Sequence, residues 1–463
     1  MMKKTAFAGL LLTAAACAYI LLQIFTYFDL TVTLISAAAM ILSLLVLRLC
    51  QKKKPLIALL LEIVLIVVLA AGIFGAREVN EVTDKISTTV EYETVQLVCL
   101  KDSGIRKTDS FADYDAGYLN KDTHSFESLI DILETNEKTV AKSRPYKSTK
   151  ALYSSLQRGS TELMIITSDI KSDLMTIDED YQDKVKVLFE LQYELDAIEA
   201  KAVDISTEPF TIYLCGADLS SGENINSTGR GDVNILLTVN PNTKKVNLQV
   251  IPRDTFVYIP CRGGSSKLSY SGWWGGVQSS IDSIEDKFGI EINYFAKINF
   301  NGLTNLVDAL GGVTVYSHYT YNTGLYDFVE GENFVDGDKA LSFVRARKML
   351  PENERSRGYH QMELIKGIFR KFAENPTYEN AMKILDGLSN NFVTNLPKRD
   401  YQKAVSLVVE LLPQLQTMEN HTVQGEYVWH YDEVRTDYYQ YYFYPYESEI
   451  KDVKKRIDNV IKG

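Results

Sequence analysis

Four arginines lie within thirteen positions of the stretch ALSFVRARKMLPENERSRGYHQ, residues 340–361, in a chain of 463 residues whose formal net charge is −11. They are Arg345, Arg347, Arg355 and Arg357. Guanidinium groups bind phosphate oxygens through paired hydrogen bonds, and a diphosphate carries enough charge to engage several of them. Because the chain is otherwise acidic, this basic cluster predicts a specific site for a phosphorylated anion.

Three further motifs place charged residues where predicted strands end. CGAD ends at Asp218, GRGD contains Arg230 and Asp232, and IPRDT contains Arg253 and Asp254. Strand ends are where open α/β sheets bind their ligands. Asp218 and Asp232 are candidate ligands of Mg²⁺, which uses few carboxylates and takes further oxygens from substrate phosphate. A metal beside an arginine cluster supplies the charge neutralisation that phosphoryl transfer needs.

The elements that carry these residues decide which side chains meet. Residues 340–347 alternate as a strand end would, which predicts that Arg345 and Arg347 lie on one face. Residues 357–372 have a helical pattern, so Arg357 and Gln361, four positions apart, share one helix face. A solvated strand edge or a salt-bridged loop is the alternative reading of such a stretch, and the sequence alone leaves it open.

The first 76 residues predict a membrane anchor. Apolar runs at 5–25, 31–47 and 56–74 have the length of roughly 17 to 25 residues that a membrane helix needs. Two lysines precede the first run, and four Lys or Arg lie within the 48–54 connection, whereas the loop near Asp29 has none. This distribution predicts that the N-terminus is in the cytoplasm. A cleaved signal peptide is the alternative for the first run, because Lys3 and Lys4 precede it.

Composition excludes several classes of protein. The anchor holds six Lys or Arg and two Asp or Glu, so the rest of the chain is more acidic still, which disfavours nucleic-acid binding. Five cysteines form no disulfide framework, although one Cys215–Cys261 bridge remains open. The five histidines lack the close spacing of a zinc site, and no Gly-x-Ser-x-Gly elbow indicates a serine hydrolase.

Beyond the anchor we predict two α/β units. Residues 77–207 read as a small accessory domain with strands at 94–100 and 162–168, a helix at 148–159, and a long charged helix over 178–202. Residues 208–463 interleave strands with helices, including helices at 276–288 and 294–310, which indicates a layered α/β core. We expect the apolar faces at 295–310 and 362–373 to be either core or the wall of a lipid tunnel.

The order of the motifs resembles that of the LytR-CpsA-Psr family of membrane-anchored cell-wall ligases, in its subgroup with capsule-type accessory segments. The resemblance covers about residues 208–463. Its matches are G-x-D at 216–218, GR-x-D at 229–232, IPRDT at 251–255, ALGGV at 309–313, AL-x-FVR-x-R at 340–347, and acid-x-x-Arg-x-x-x-Gln at 354–361. Glu354 stands where the family commonly has Asp, and Tyr359-His360 replaces a more basic pair.

The resemblance implies an α-β-α sandwich with a central mixed sheet and an apolar tunnel for a lipid tail. It implies transfer of a glycan phosphate from a polyprenyl-pyrophosphate carrier to peptidoglycan, outside the membrane of a Gram-positive bacterium, with polymer-synthesis proteins as further partners. Capsule and teichoic acid are both open as the polymer. The implied roles are pyrophosphate binding by Arg230, Arg253, Arg345, Arg347, Arg357 and Gln361, Mg²⁺ binding by Asp218 and Asp232, and catalysis by Arg253, Asp254 and Asp232.

Within those roles, we expect Asp254 to orient Arg253, and the acceptor hydroxyl to lose its proton to Asp232, Asp254 or a phosphate oxygen. Two other functions stay open at this point. One is a hydrolase of the lipid pyrophosphate, in which water replaces the acceptor hydroxyl. The other is a non-catalytic membrane regulator of cell-envelope synthesis.

Overall fold

The chain is represented by a computed structural model that describes residues 14–22, 36–38, 40–41, 64, 81–87, 90–120, 129–131, 134–135, 140–219, 223–419, 421–432, 434 and 439–463. Within those ranges, no helix has both the length and the apolar character needed to cross a membrane. The predicted membrane helices at 5–25, 31–47 and 56–74 lie mostly outside the described residues. Two sheets with their helices make up most of what is described after residue 90.

The first sheet belongs to the predicted accessory domain and has the strand order β3-β2-β4-β1-β5. Apolar side chains on both of its faces are buried, in two separate clusters. The predicted strands at 94–100 and 162–168 and the predicted helix at 148–159 are confirmed as β1, β4 and α1. The elements are β1 Tyr92–Leu100, β2 Asp115–Leu119, β3 Lys142–Tyr146, α1 Thr149–Gln157, β4 Leu163–Thr167, α2 Ser168–Ile177, α3 Tyr181–Lys184 and β5 Val185–Glu194.

The long charged helix predicted over 178–202 is wrong. After the four residues of α3 the chain forms β5, which pairs antiparallel with β1 from Val185 to Glu194. The reason is visible in the alternation of Phe189, Leu191 and Tyr193 with Glu190, Gln192 and Glu194, which is the period of a strand. The high charge of the segment obscured that period.

The second sheet has six strands in the order β16-β11-β6-β7-β8-β17. It is mixed, because β11 runs parallel to β6 and β17 parallel to β8, while the other neighbours are antiparallel. This confirms the predicted central mixed sheet. Its strands are β6 Phe210–Asp218, β7 Arg230–Asn240, β8 Lys245–Val250, β11 Tyr294–Asn299, β16 Phe392–Thr394 and β17 His421–Thr422.

Helices cover both faces of this sheet and make the α-β-α sandwich. Alternation along β7 shows how. Leu236 packs in the cluster that contains the helices Leu268–Phe288 and Glu447–Ile461. Ile235 and Leu237 pack in the cluster that contains the helices Glu354–Phe372 and Tyr401–Thr417. The helices are α4 Leu268–Phe288, α5 Phe300–Ala309, α6 Gly337–Arg345, α7 Glu354–Phe372, α8 Tyr378–Leu388, α9 Tyr401–Thr417 and α10 Glu447–Ile461.

Short strands and two 3₁₀ turns complete the described residues. The tyrosine-rich segment near the C-terminus pairs as a hairpin of β18 with β19. These elements are β9 Phe256–Ile259, β10 Gly264–Lys267, β12 Val313–Ser317, β13 Tyr321–Asn322, β14 Asp327–Phe328, β15 Gly331–Val335, β18 Gly425–Tyr431 and β19 Tyr439–Pro445, with 3₁₀ turns at Pro260–Arg262 and Lys398–Asp400.

Two predicted elements near the charged motifs are also wrong in type. Residues 294–310 form β11 followed by α5 rather than one helix, because Tyr294 and Phe295 face opposite sides of the sheet. Residues 340–345 end α6 rather than forming a strand. Asp336 caps that helix by accepting a hydrogen bond from the Lys339 backbone, and Ala340 and Phe343, three apart, pack into the core.

A buried ion pair joins the start of the first sheet to the second. Lys297 Nζ on β11 lies 2.6 Å from Glu91 Oε1 and donates a second bond to the Ser227 carbonyl at 2.7 Å. Both charged side chains are 2% exposed. The Val277 backbone N–H donates to the other Glu91 oxygen beside Gly276, whose φ of +64° kinks α4 there. Glu91 therefore contacts the second sheet and a covering helix at once.

Candidate active site

Ends of strands and helices bring the predicted site residues together. Asp218 ends β6 directly opposite Arg230, which begins β7, and Asp232 follows two residues later on the same strand. Arg253 lies in the loop after β8. The remaining predicted residues come from the helical side: Arg345 ends α6, Arg347 follows it, and Arg357 and Gln361 are in α7.

The predicted strand face shared by Arg345 and Arg347 does not exist, because Arg345 belongs to α6. Both side chains nevertheless line one cavity together with Arg357 and Gln361. The predicted helix face of Arg357 and Gln361 is confirmed by α7.

Asp232 connects two of the arginines. Arg230 Nε donates to Asp232 Oδ1 at 2.9 Å, and Arg253 Nη1 donates to Asp232 Oδ2 at 2.8 Å. Arg230 Nη2 also reaches Asp218 Oδ2 at 2.6 Å. The Asp232 backbone carbonyl accepts a hydrogen bond from Arg357 Nη2 at 3.2 Å. One residue of β7 thus contacts three guanidinium groups that line the cavity.

Glu354, the first residue of α7, contacts three of the arginines. Its carboxylate lies 2.7 Å from Arg347 Nη1, 2.7 Å from Arg357 Nη2 and 3.8 Å from Arg253 Nη2. Glu354 belongs to the acid-x-x-Arg-x-x-x-Gln motif of the sequence, which by itself assigns it no role. The spacing of three positions to Arg357 on a helix was the available signal, whereas its contacts to Arg253 and Arg347 follow only from the fold.

Burial and neighbouring charge act in opposite directions on these arginines. Burial opposes the charge of Arg253, but the carboxylates of Asp232, Glu354 and Asp254 outweigh it, so the pKa of Arg253 is raised. Burial dominates at Arg357, which is 8% exposed, and lowers the pKa of its guanidinium below the usual value. Arg253 Nε has no hydrogen-bond partner within the described ranges. A bound anion would satisfy that donor and replace the lost hydration.

Arg345 differs from the others because no carboxylate of the described residues pairs with it. Its guanidinium lies over the Phe300 ring, 4.6 Å from the centroid, and its side chain is exposed at the cavity mouth. An arginine above an aromatic ring keeps the N–H donors at the edge of its planar guanidinium available for an anion. Arg345 is therefore the guanidinium most readily available to a ligand.

The cavity has a volume of about 590 Å³ and changes character along its length. The charged residues and Gln361 line one part, while side chains from β6, β7, β11, α5 and α7 form an apolar remainder. The segments 295–310 and 362–373, for which core and tunnel wall were both open, contribute to this lining. The apolar residues include Leu214, Ile235, Ile298, Leu303, Leu306, Leu364, Ile365, Ile368 and Phe369.

Asp254 does not orient Arg253 through a direct contact. Its Oδ1 instead accepts from Lys267 Nζ at 2.8 Å, and its side chain is absent from the residues that line the cavity. The Asp254 backbone carbonyl accepts a hydrogen bond from the Phe443 N–H at 2.8 Å. Of the two carboxylates predicted as bases, the structure brings only Asp232 into the cavity.

Asp218 and Asp232 have the ligand chemistry that Mg²⁺ prefers, because both are carboxylates, and of the two only Asp232 lines the arginine cavity. No cluster of three or more His, Cys, Asp or Glu suited to a metal occurs among the described residues. The Arg230 guanidinium bridges the two acids. A cation held by both would therefore require Arg230 to turn from them toward the phosphates.

The optional Cys215–Cys261 bridge is not formed, because both residues are free thiols. Cys215 lines the cavity, and burial raises its pKa to about 11. Cys261 Sγ lies 3.3 Å from Ser279 Oγ instead.

His360, one turn along α7 from the arginines, predicts a pH dependence of stability. Its ring stacks on Phe343 with centroids 4.0 Å apart, Nδ1 lies 3.1 Å from the Phe343 carbonyl, and burial lowers its pKa to about 4. An unfolded histidine titrates near pH 6.5, so between these values only the unfolded chain takes up the proton. We expect the free energy of unfolding to fall by up to about 3 kcal/mol as pH drops from 6.5 to 4.

Urea titrations across that pH range check this expectation. A His360→Gln variant should be less stable than the original chain at pH 7 but lose less stability on acidification. Parallel pH profiles for the two proteins would show that other groups cause the acid sensitivity.

Three comparisons with known proteins bear on this site. Residues 163–459 match the model of the LytR_cpsA_psr family. The polyisoprenyl-teichoic acid–peptidoglycan teichoic acid transferase TagU of Bacillus licheniformis is 35% identical over 217 residues, which cover 45% of this chain and 70% of that protein. The protein of the same name from Enterococcus faecalis is 36% identical over 196 residues, covering 42% of this chain and less than two thirds, 64%, of the relative.

A solved structure is similar as well. The crystal structure of protein gbs0355 from Streptococcus agalactiae has 26% sequence identity and a TM-score of 0.50, and the alignment covers 57% of this chain and 92% of that one.

Proposed function

The chain belongs to the LytR-CpsA-Psr family, and from this premise we propose that it transfers a glycan phosphate from a polyprenyl-pyrophosphate carrier to peptidoglycan. The observation that carries the proposal is one continuous cavity in which a cluster of arginines opens into an apolar channel. A diphosphate fits the first part and an isoprenoid chain fits the second. Few other metabolites combine two phosphates with a long hydrocarbon.

In the proposed reaction, an acceptor hydroxyl of peptidoglycan attacks the phosphorus that bears the glycan. A new P–O bond forms, the bond to the bridging oxygen of the diphosphate breaks, and polyprenyl phosphate leaves with that electron pair. The products are a phosphodiester and a polyprenyl phosphate. Arg253, Arg347 and Arg357, fixed by Asp232 and Glu354, would stabilise the negative charge on the phosphates without having to reorganise.

Asp232 is the better placed of the two candidate bases, since Asp254 is paired with Lys267 away from the cavity lining. We propose that Asp232 or a phosphate oxygen takes the proton of the acceptor hydroxyl. We also propose that Asp218 and Asp232 hold Mg²⁺, whose charge would assist departure of the lipid phosphate. Arg230 would then move to the phosphates as a supporting donor together with Gln361.

Membrane attachment suits a lipid-linked substrate. We propose that residues 1–76 form the three-helix anchor, with the N-terminus in the cytoplasm, and that the accessory unit 77–207 and the catalytic unit 208–463 lie outside. Tethering the site beside the bilayer raises the effective concentration of a carrier that never leaves it. The names of the relatives favour teichoic acid as the polymer, with capsule polysaccharide as the second candidate.

A direct test uses the purified full-length protein with a labelled glycan on polyprenyl diphosphate and peptidoglycan as the acceptor. We expect the label to become covalently attached to peptidoglycan and polyprenyl phosphate to be released in equal amount. Hydrolysis of the diphosphate at the same rate without an acceptor would instead indicate a lipid-pyrophosphate hydrolase. No turnover with either would favour the non-catalytic regulator.

The tunnel makes a separate prediction. Ile365 lies on the cavity wall in α7, so Ile365→Trp should fill the apolar channel and largely prevent co-purification of polyprenyl phosphate. Overpacking costs about 1–3 kcal/mol, so thermal unfolding must show that the variant still folds. Lys371→Trp, on the same helix but outside the cavity lining, should keep the lipid. Equal lipid content by mass spectrometry in both variants would contradict a lipid tunnel.

A further inference from the structure

A second cavity, of about 310 Å³, lies between the accessory unit and the central sheet. We call it the interdomain cleft. Arg230 lines both this cleft and the arginine cavity, so its guanidinium stands between the two spaces. The accessory side contributes Thr94, Gln96, Lys171 and Ser172, and the catalytic side contributes Asp218 and Trp273.

Hydrogen bonds between the two units hold the walls of the cleft in place. Asp169 Oδ2, in the first turn of α2, accepts from Trp274 Nε1 at 2.8 Å. The Tyr92 N–H donates to the Asn226 carbonyl, and the Thr228 N–H donates to the Tyr92 carbonyl, each at 2.8 Å. Because these contacts flank the cleft, its two sides form one site rather than a chance gap.

Trp273 gives the cleft its apolar surface next to the reacting groups. Its ring stacks on Tyr270, with centroids 5.7 Å apart and an interplanar angle of 14°, and the Arg230 guanidinium lies 5.5 Å from its centroid. Such contacts fix the indole in one orientation beside Arg230. The aromatic wall is therefore preorganised.

The chemistry of the cleft differs from that of the tunnel. Hydroxyl groups, two carboxamides, two carboxylates and an ammonium group line the cleft together with an aromatic side chain, and no ion pair engages Lys171 within the described part of the chain. This mixture offers both donors and acceptors, which is what a ligand with many hydroxyl groups needs. An isoprenoid chain would gain little binding free energy in this polar cleft.

We propose that the interdomain cleft binds the sugar unit next to the reacting phosphate, so that the accessory unit forms one wall of the glycan site. The inference rests on the proposed function, to which it adds the location of the bound sugar. With the lipid tail in the apolar channel and the phosphates at the arginines, the cleft is the space on the opposite side of Arg230. The sugar belongs either to the donor glycan or to the peptidoglycan acceptor, which share the same chemistry.

A filling substitution on the accessory wall tests the proposal without altering the arginine cluster. Ser172→Trp in the full-length protein places an indole in the cleft, and Thr176→Trp, on an exposed position of the same helix outside the cleft, is the matched control. The probes are polyprenyl diphosphate, the same lipid carrying an N-acetylhexosamine disaccharide, and uncrosslinked peptidoglycan strands. Binding and transfer are measured for each variant.

We expect Ser172→Trp to weaken binding of the disaccharide-linked lipid about tenfold or more, equivalent to about 1.4 kcal/mol, with polyprenyl diphosphate binding unchanged. That result assigns the cleft to the donor sugar. Unchanged donor binding with a rise of similar size in the KM for peptidoglycan assigns it to the acceptor. Lys171→Met, which keeps the side-chain length and removes the charge, should show the same pattern more weakly and serves if Ser172→Trp does not fold.

Binding and transfer by both cleft variants at the level of Thr176→Trp would overturn the proposal, even with active enzyme. Failure of the proposed function looks different. In that case the unaltered protein transfers no glycan to peptidoglycan, whatever the cleft variants do to binding.

Discussion

Replacing Arg345 by alanine is expected to reduce glycan transfer by about 100- to 1,000-fold, the usual effect of removing one donor that stabilises transition-state charge. Arg345 is exposed, stacks on Phe300 and pairs with no carboxylate of the described residues, so folding should be unaffected. Arg253→Ala should lower the rate at least as much. That side chain is 18% exposed and bonded to Asp232, so some loss of thermal stability should accompany the loss of activity.

Arg355 is the matched control for both substitutions. It lies in the same arginine-rich stretch, but it is exposed, pairs with Glu352 at 3.1 Å and is not part of the cavity lining. Arg355→Ala should therefore transfer glycan at nearly the original rate. A wild-type rate for Arg345→Ala, measured with labelled polymer and peptidoglycan, would contradict the proposed binding of the diphosphate by Arg345.

Breaking the buried pair of Glu91 and Lys297 is expected to cost about 3–5 kcal/mol of folding free energy, because the remaining charge stays buried without its partner. Lys297→Met leaves the Glu91 carboxylate with only the Val277 N–H as a donor in the described contacts. Glu91→Gln removes the counter-charge from Lys297, which would keep its bond to the Ser227 carbonyl. Urea denaturation of each single variant measures the cost.

The double variant Glu91→Gln/Lys297→Met should recover a large part of that loss, since two neutral groups no longer need each other. Lys383→Met, which breaks an exposed ion pair with Glu379, should change the free energy of unfolding by too little to measure. Strictly additive losses in the double variant would show that the two charges do not interact. A strong coupling would mean that the accessory segment contributes directly to the stability of the catalytic sheet.

Much of the site was readable from residue types and short spacings. The arginine stretch, the acidic residues at strand ends and the ordered motifs led to the family and to a diphosphate as ligand. The helix face of Arg357 and Gln361 followed from a spacing of four. These features are local, because a motif keeps its chemistry whatever lies around it.

The secondary structure predicted from the sequence was wrong where charged residues or a short segment obscured the periodicity of the apolar residues. Residues 189–194 alternate as a strand does, yet the charges of the segment suggested a helix. Residues 340–347 alternate only briefly, and the Asp336 cap and the core contacts of Phe343 make them the end of a helix. Short segments carry too few turns for their period to decide, so packing against the rest of the chain does.

The sequence by itself determined the family, the acidic balance of the chain and the arginines that we propose as the anion site. Only the tertiary structure decided that Glu354 and Asp232 hold those arginines in place, that Asp254 pairs with Lys267, and that the accessory unit shares a cleft with Arg230. The physical reason is that these contacts join side chains from different strands, helices and loops. Such contacts depend on strand register and helix docking, which no short pattern contains.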